Sequence, residues 1–377
     1  MDLDLTKEQK ILIQSARDFL KKECPTSLLR EMKDDQRGYP QGMWKKMTEL
    51  GWTGVIIPEE YGGIGGNFID LCILLEAMGE VNCPGPFFSK IVLGSLALLA
   101  AGNENQKKEL LPKIADGKLI ISLAMAEPEA WYGASGIAMK AKPDKDEYVL
   151  NGVKLFVENA HISDYILCVA RTKGDAGSED GLTIFLVDGK DPGVKCTLLQ
   201  TLAFDKQCEV VFDNVRIHKK NIIGPVDNAF DILEKLQEKI VVAKCAELVG
   251  CTQIAFDMTV AYAKERKQFD RPIGSFQAVQ HHCANMVMEV DGSRFITYKA
   301  AWEIAEGLPA AMTASMCKAW TGNAAHKVTL LAHQIHGAIA FCEELDLHLY
   351  YRRAKAGEVF FGDCDYHLEK VAKHIGL

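Results

Sequence analysis

Hydrophobic positions recur with a helical period toward both ends of the chain and with a strand period in its centre. Leu5-Thr-Lys-Glu-Gln9 sets Thr6 as an N-cap with Gln9 three residues on, ahead of Ile11, Leu12, Ile13 and Phe19, which is a capping box in sequence form. The stretch 43–51 is amphipathic and stops at Gly51, apolar helical patterns follow at 69–80 and 91–101, and Asn105-Gln-Lys-Lys-Glu-Leu-Leu-Pro112 opens another. At about residue 119 the period shortens. Runs beginning at Ile120, Tyr148, Tyr165, Leu182, Val194 and Glu209 are short and β-rich, with turn signals separating them. Asn151-Gly152 lies inside one such run and predicts a type I′ hairpin turn. From Asp227 the helical period returns, over about 227–265, 275–306, 309–337, 343–357 and 364–375.

Helices, then strands, then helices predict an α+β protein and not a doubly wound sheet. The expected domains are an N-terminal helical domain over 1–118, a middle antiparallel β-barrel or sandwich over 119–226, and a C-terminal helical bundle over 227–377. No GxGxxG opens a helix after a strand, and the glycine-dense Pro58-Glu-Glu-Tyr-Gly-Gly-Ile-Gly-Gly66 lacks the Lys-Ser/Thr of a phosphate loop.

Composition narrows the class. The 377 residues carry a formal charge of −8 with no basic block, which argues against general nucleic-acid binding. Residues 1–7 show no basic or apolar leader, and the longest apolar run, 91–102, is too short to span a bilayer. Twelve cysteines without CxxC or Cys/His spacing fit free thiols, so no metal and a soluble cytoplasmic protein are expected.

The segment Ala261-Tyr-Ala-Lys-Glu-Arg-Lys-Gln-Phe-Asp-Arg-Pro-Ile-Gly-Ser-Phe-Gln-Ala-Val-Gln280 holds the most chemistry. A helix ends in Lys264, Arg266 and Lys267, a connection follows, and a second helix leaves from Ser275. Phe269, Ile273 and Phe276 can anchor the connection, while Arg266, Gln268 and Gln277 offer donors to a polar, charged ligand. Blandly read, this is a capped helix–loop–helix.

This segment, with Met125-Ala-Glu-Pro-Glu-Ala-Trp-Tyr132, Lys154-Leu-Phe-Val-Glu158, Phe212-Asp-Asn-Val-Arg-Ile217, Gln334-Ile-His-Gly337 and Arg353-Ala-Lys355, resembles the FAD-dependent acyl-CoA dehydrogenase family. The resemblance implies a helical domain, a β-barrel and a four-helix bundle, in a homotetramer, with FAD and an acyl-CoA thioester between the middle and C-terminal domains. It also implies the flavin contacts. Met125 and Ala126 would line the ring, Phe156 would pack near it, and Val157 and Glu158 would reach its N5 region. Arg266, Gln268 and Phe269 would contact the FAD of a neighbouring subunit, and Phe276, Gln277, Gln334 and Gly337 would hold its adenine end. Two departures stand out: Tyr132 replaces the loop serine, and Ala126 and Glu158 replace flavin-facing threonines.

The family's carboxylate base is missing. Counting six residues from Lys355 reaches Phe361, and the alternative positions on the long helix are Ile240 and Val241. Three carboxylates are candidates. Glu247 shares a helical face with Ile240, Ala243, Gly250 and Ile254, where desolvation would raise its pKa, or it pairs with Lys244. Asp363 lies two residues past the usual position, as a base or as an N-cap for the last helix. Glu158 is the third, or it tunes the flavin.

A relocated Asp or Glu occurs in relatives from anaerobic bacteria that act on alicyclic-ring CoA thioesters, and Phe360-Phe361 suits a compact ring. The expected reaction is dehydrogenation of a cyclic or branched acyl-CoA, with electrons passed to an electron-transfer flavoprotein. The alternatives are a base-independent lyase on the same scaffold and a non-catalytic subunit of a heteromeric dehydrogenase.

Overall fold

The computed structural model describes residues 4–129 and 132–377. In chain order the elements are α1 (Lys7–Glu23), α2 (Thr26–Asp34), α3 (Gln41–Glu49), α4 (Phe68–Glu80), a π-helix (Phe88–Ser95) running into α5 (Leu96–Ala101), and α6 (Glu104–Ala115). Then come β1 (Ile121–Ala124), β2 (Ala141–Asp144), β3 (Glu147–Glu158), β4 (Tyr165–Arg171), β5 (Leu182–Asp188), β6 (Val194–Leu198), β7 (Gln207–His218) and β8 (Ile222–Ile223). The chain finishes with α7 (Phe230–Glu265), β9 (Lys267–Gln268), β10 (Arg271–Pro272), α8 (Gln277–Ala305), α9 (Ala311–His336), α10 (Leu347–Val359) and α11 (Cys364–His374). Two compact units result, one of residues 1–30, 68–83 and 241–377, the other of 31–67 and 84–240.

The second unit is built on a sandwich. Its sheets run β1-β4-β5-β8 and β2-β3-β7-β6, and between them lie Ile166, Cys168, Phe185 and Val187 from one sheet and Leu150, Val210, Phe212 and Ile217 from the other. Most pairings are antiparallel as expected, but β1 and β4 are parallel. Asn151-Gly152 is not a hairpin turn. It sits within β3 where the register against β7 slips between Leu150 and Gly152, and the Asn151 side chain accepts from the Asn214 amide (2.8 Å). A bulge uses the same permissive backbone that a turn needs, and the partner strand β7, invisible locally, decides between them. The hairpin forms instead at Lys145-Asp146, joining β2 to β3.

In the first unit, α1 opens with the predicted capping box: Thr6 Oγ1 accepts from Gln9 N (3.2 Å) and Thr6 N donates to Gln9 Oε1 (3.1 Å). Leu248 and Cys251 of α7, Met286 and Val290 of α8, Val328 and Ala332 of α9, and Leu347 and Tyr350 of α10 share one core, a four-helix arrangement. Helices α4 and α7 touch backbone to backbone. A Cβ on Gly79 would stand 1.9 Å from the Glu247 carbonyl, and one on Gly250 would stand 1.9 Å from that of Glu76. The buried Glu76 carboxylate accepts from Tyr298 (2.7 Å) and Arg294 (3.3 Å), fastening α4 to α8. Helix α8 starts at Gln277, later than expected, because the Ser275 hydroxyl donates to Pro272 O (2.7 Å) and does not cap it.

Candidate active site

In the second unit, the segment after β1 is clamped to a bulge in β3. Lys154 Nζ, fully buried, donates to Met125 O (3.1 Å) and pairs with Glu127 (2.6 Å), whose carboxylate also accepts from the amides of Ala138 and Met139. Leu155 N donates to Ala126 O (2.9 Å). A second register slip, between Lys154 and Val157, then turns Phe156 outward. Phe156 has φ +55° and is 60% exposed, a strained posture for a bulky apolar residue that the clamp enforces. Val157 faces the other way, into the sandwich core; the bulge reverses the alternation at that point. Glu158 is buried at the strand end, where its carbonyl accepts from the Ser122 hydroxyl (2.6 Å). Ala130 and Trp131 lie outside the described residues. Beyond them, Arg171 holds Ser135 O (2.8 Å) and Ile137 O (2.5 Å).

In the first unit, the signature segment folds as a hairpin. Residues 267–268 pair with 271–272 around Phe269-Asp270, both at positive φ (+52° and +63°), the backbone of a type I′ turn. Phe269 therefore does not anchor the connection: it is 87% exposed at the tip, touching Phe276 edge-on at 6.1 Å. The anchor is Phe276, over which the Arg271 guanidinium sits at 4.1 Å. Arg266, Gln268, Gln277 and Gln334 are exposed, each presenting donors at a helix end or hairpin edge. Gly337 caps α9 with φ +68°, and a Cβ there would meet nothing within 4 Å.

The three carboxylates sort differently from the sequence reading. Glu247 is buried, but it is bound by Lys244 (2.7 Å) and Arg353 (3.3 Å). Burial alone would raise its pKa, and the two cations reverse that, leaving it below the ordinary carboxylate value. As the partner of two cations it braces α7 against α10. Lys244 also lies 4.6 Å over the Phe360 ring. Asp363 caps α11, accepting from Tyr366 N (2.9 Å) through Oδ1.

The turn that bears Phe361 is held from both sides, by residues that sequence reasoning passed over. Lys318, inside α9, donates to Glu358 O (2.6 Å) and Gly362 O (2.7 Å), and burial lowers its pKa to about 8. His367 is pushed down to about 3 by burial, so it is neutral, and its Nε2 must carry the proton donated to Phe361 O (3.1 Å). Phe361 takes φ +52° and Gly362 φ +112° within this grip. A lysine within the helical run Ala314-Ser-Met-Cys-Lys-Ala-Trp320 was the available signal.

These features fit a flavin dinucleotide. In the one unit an exposed aromatic ring, Phe156, is fixed against its own strain; in the other Arg266, Gln268, Gln277 and Gln334 present exposed donors of the kind a diphosphate or an adenine accepts from. The class so defined is an FAD-dependent oxidoreductase acting on acyl-CoA. The chain belongs to the acyl-CoA dehydrogenase family: its models match the N-terminal domain over residues 6–118, the middle domain over 122–215 and the C-terminal domain over 241–376. It is 32% identical to the probable acyl-CoA dehydrogenase YngJ of Bacillus subtilis (strain 168), with all of both chains covered. Its fold is similar to butyryl-CoA dehydrogenase from Megasphaera elsdenii (TM-score 0.91, 26% identity, 100% of both chains). It is also similar to a chain of the ChsE4–ChsE5 complex from Mycobacterium tuberculosis (TM-score 0.90, 25% identity, 100% and 99% covered). Among the described residues no helix is long and apolar enough to cross a membrane.

Proposed function

We propose that the protein dehydrogenates a cyclic or branched acyl-CoA, with Asp363 taking the proton and an electron-transfer flavoprotein taking the electrons. One observation carries this reading: Phe361 stands where the family's base is expected, and Asp363 follows it in the same locked turn. FAD, when bound, supplies two-electron redox chemistry at carbon. Phe156 would carry the ring, and Arg266, Gln268, Phe269, Phe276, Gln277, Gln334 and Gly337 would serve the rest of the dinucleotide. The stacked Phe360 and Phe361 rings, 4.7 Å apart, offer an apolar wall to a compact acyl group. The cap bond to Tyr366 N orients the Asp363 carboxylate through one oxygen and leaves Oδ2 for a proton.

The test is flavin bleaching by linear, branched and alicyclic acyl-CoAs, with Asp363→Asn and Glu247→Gln in parallel. Asn retains capping ability, so Asp363→Asn should stay folded and lose roughly 10²–10⁴ in rate. A larger rate loss in a well-folded Glu247→Gln would move the base to Glu247, and equal small losses would leave Glu158 to be tried.

The same replacement by Phe361 favours a second reading, a base-less subunit within a heteromeric dehydrogenase; one structural neighbour is itself part of a two-protein complex. Native mass spectrometry after co-expression with a paralogue separates this from a homotetramer.

A further inference from the structure

Lys90 lies in the π-helix (Phe88–Ser95), next to the longest apolar run of the chain, and its side chain has no solvent exposure. Its Nζ has no hydrogen-bond partner among the described residues and faces the Trp44 ring at 5.0 Å. The carboxylates nearest in charge effect are committed elsewhere. Asp164 accepts from Ile120 N (3.0 Å) and pairs with Lys190 (3.2 Å), and Asp116 pairs with Lys118 (2.8 Å). A buried amine without a hydrogen-bond partner is a net cost to folding, and single π-turns inside helices concentrate at functional positions.

The residues beside it pack on the flank of the sandwich that carries Phe156 and leads to Met125. Ser89, the preceding residue, accepts from Asn159 Nδ2 (3.1 Å), and Asn159 directly follows the strand that displays Phe156. On the other side, a Cβ at Gly94 would come within 3.0 Å of Ile121 in β1, the strand that leads to Met125 and Ala126. The π-helix therefore packs on β1 and reaches, through Ser89, the residue that follows β3, all within one unit.

We propose that Lys90 is a specificity-determining residue that donates a hydrogen bond to an oxygen on the acyl portion of the CoA ester, a carboxylate or a ketone remote from the thioester. This rests on the acyl-CoA reading above and narrows it from a hydrocarbon acyl group to an oxygenated one. Burial lowers the Lys90 pKa to about 7, so the neutral amine can serve a ketone and the ammonium a carboxylate. A carboxylate ester would draw a proton onto the amine as it binds.

The experiment is calorimetry of the holoenzyme with two series: pentanoyl-, 4-oxopentanoyl- and glutaryl-CoA, and cyclohexanecarboxyl-CoA with its 4-oxo and 4-carboxy derivatives. An oxygenated ester should bind about tenfold tighter than its hydrocarbon parent, or better. Lys90→Met should erase that preference, and titration in buffers of different ionisation enthalpy should show the proton uptake vanish with it. Lys90→Gln, a neutral donor, should keep a ketone preference and lose a carboxylate one, which tells the two oxygens apart. Lys90→Met should also melt higher than wild type at pH 7, whereas a merely structural lysine would leave a variant that melts lower. Equal affinities across both series in wild type, or a preference that survives in Lys90→Met, overturns the proposal. If the preference is found but no ester alters the flavin spectrum, the dehydrogenase reading fails and the Lys90 assignment stands. Bleaching without any preference keeps the dehydrogenase reading and overturns the Lys90 assignment.

Discussion

Lys154 and Glu127 form an ion pair of 2.6 Å that excludes water, the lysine fully buried and the glutamate side chain 8% exposed. Through it residues 125–127 and the bulge in β3 are held together, and Phe156 is displayed on that bulge. Local strain at φ +55° persists because this pair and the Leu155–Ala126 hydrogen bond over-determine the backbone.

Lys154→Met should therefore cost about 3–5 kcal/mol, because it strands a buried carboxylate. Adding Glu127→Leu should recover much of that stability in urea titrations. Flavin retention should not return with it, since the loop keeps no charged tie to the bulge; measuring bound flavin after gel filtration checks this.

Phe156→Asn should leave the fold as stable or stabilise it by up to ~1 kcal/mol, since Asn accepts the left-handed region far better than Phe. Flavin should dissociate more readily from the variant. A variant that melts markedly lower would mean that the ring packs within the unit and is not a shelf.

Glu247 sets a pH dependence with a definite sign. Its folded pKa lies below the unfolded value because Lys244 and Arg353 hold the charge. The stability it contributes is present above pH ~4.5 and is lost as pH falls through the folded value. Glu247→Gln should unfold at lower urea than wild type at pH 7, and the gap should close on acidification below pH 4. A constant gap from pH 7 to 3 would show that the pair contributes no charge stabilisation.

Gly362→Ala tests the turn. The residue holds φ +112°, and a Cβ would come within 2.4 Å of the Tyr366 ring and 2.7 Å of His367 Nε2. It should be destabilised by about 1–3 kcal/mol, with turnover falling more than melting temperature predicts, because Phe361 and Asp363 flank the glycine. Thermal melts and turnover on the same preparation decide.

Helical periodicity and the turn signals between segments located the helices of the bundle within a few residues. The Thr6 capping box was readable because all its partners lie within three residues. Asn151-Gly152 misled because the residues permit two local answers, and the choice belongs to β7, some sixty residues away. Phe269 misled in the other direction: an aromatic beside a turn reads as an anchor, yet a hairpin tip at positive φ projects it outward.

By itself, the sequence determined the order of helical and strand segments, the family and the cofactor, since each is written in residue identity, spacing or count. Only tertiary structure decided what the charged residues do. Glu247 became a brace once Arg353, 106 positions on, met it. Lys318 and His367 became the grip on the Phe361 turn because two helices converge on it. Lys90 acquired meaning from the missing partner in a fully buried site. A pKa depends on burial and on every charge within a few ångströms, and neither is a property of neighbours along the chain.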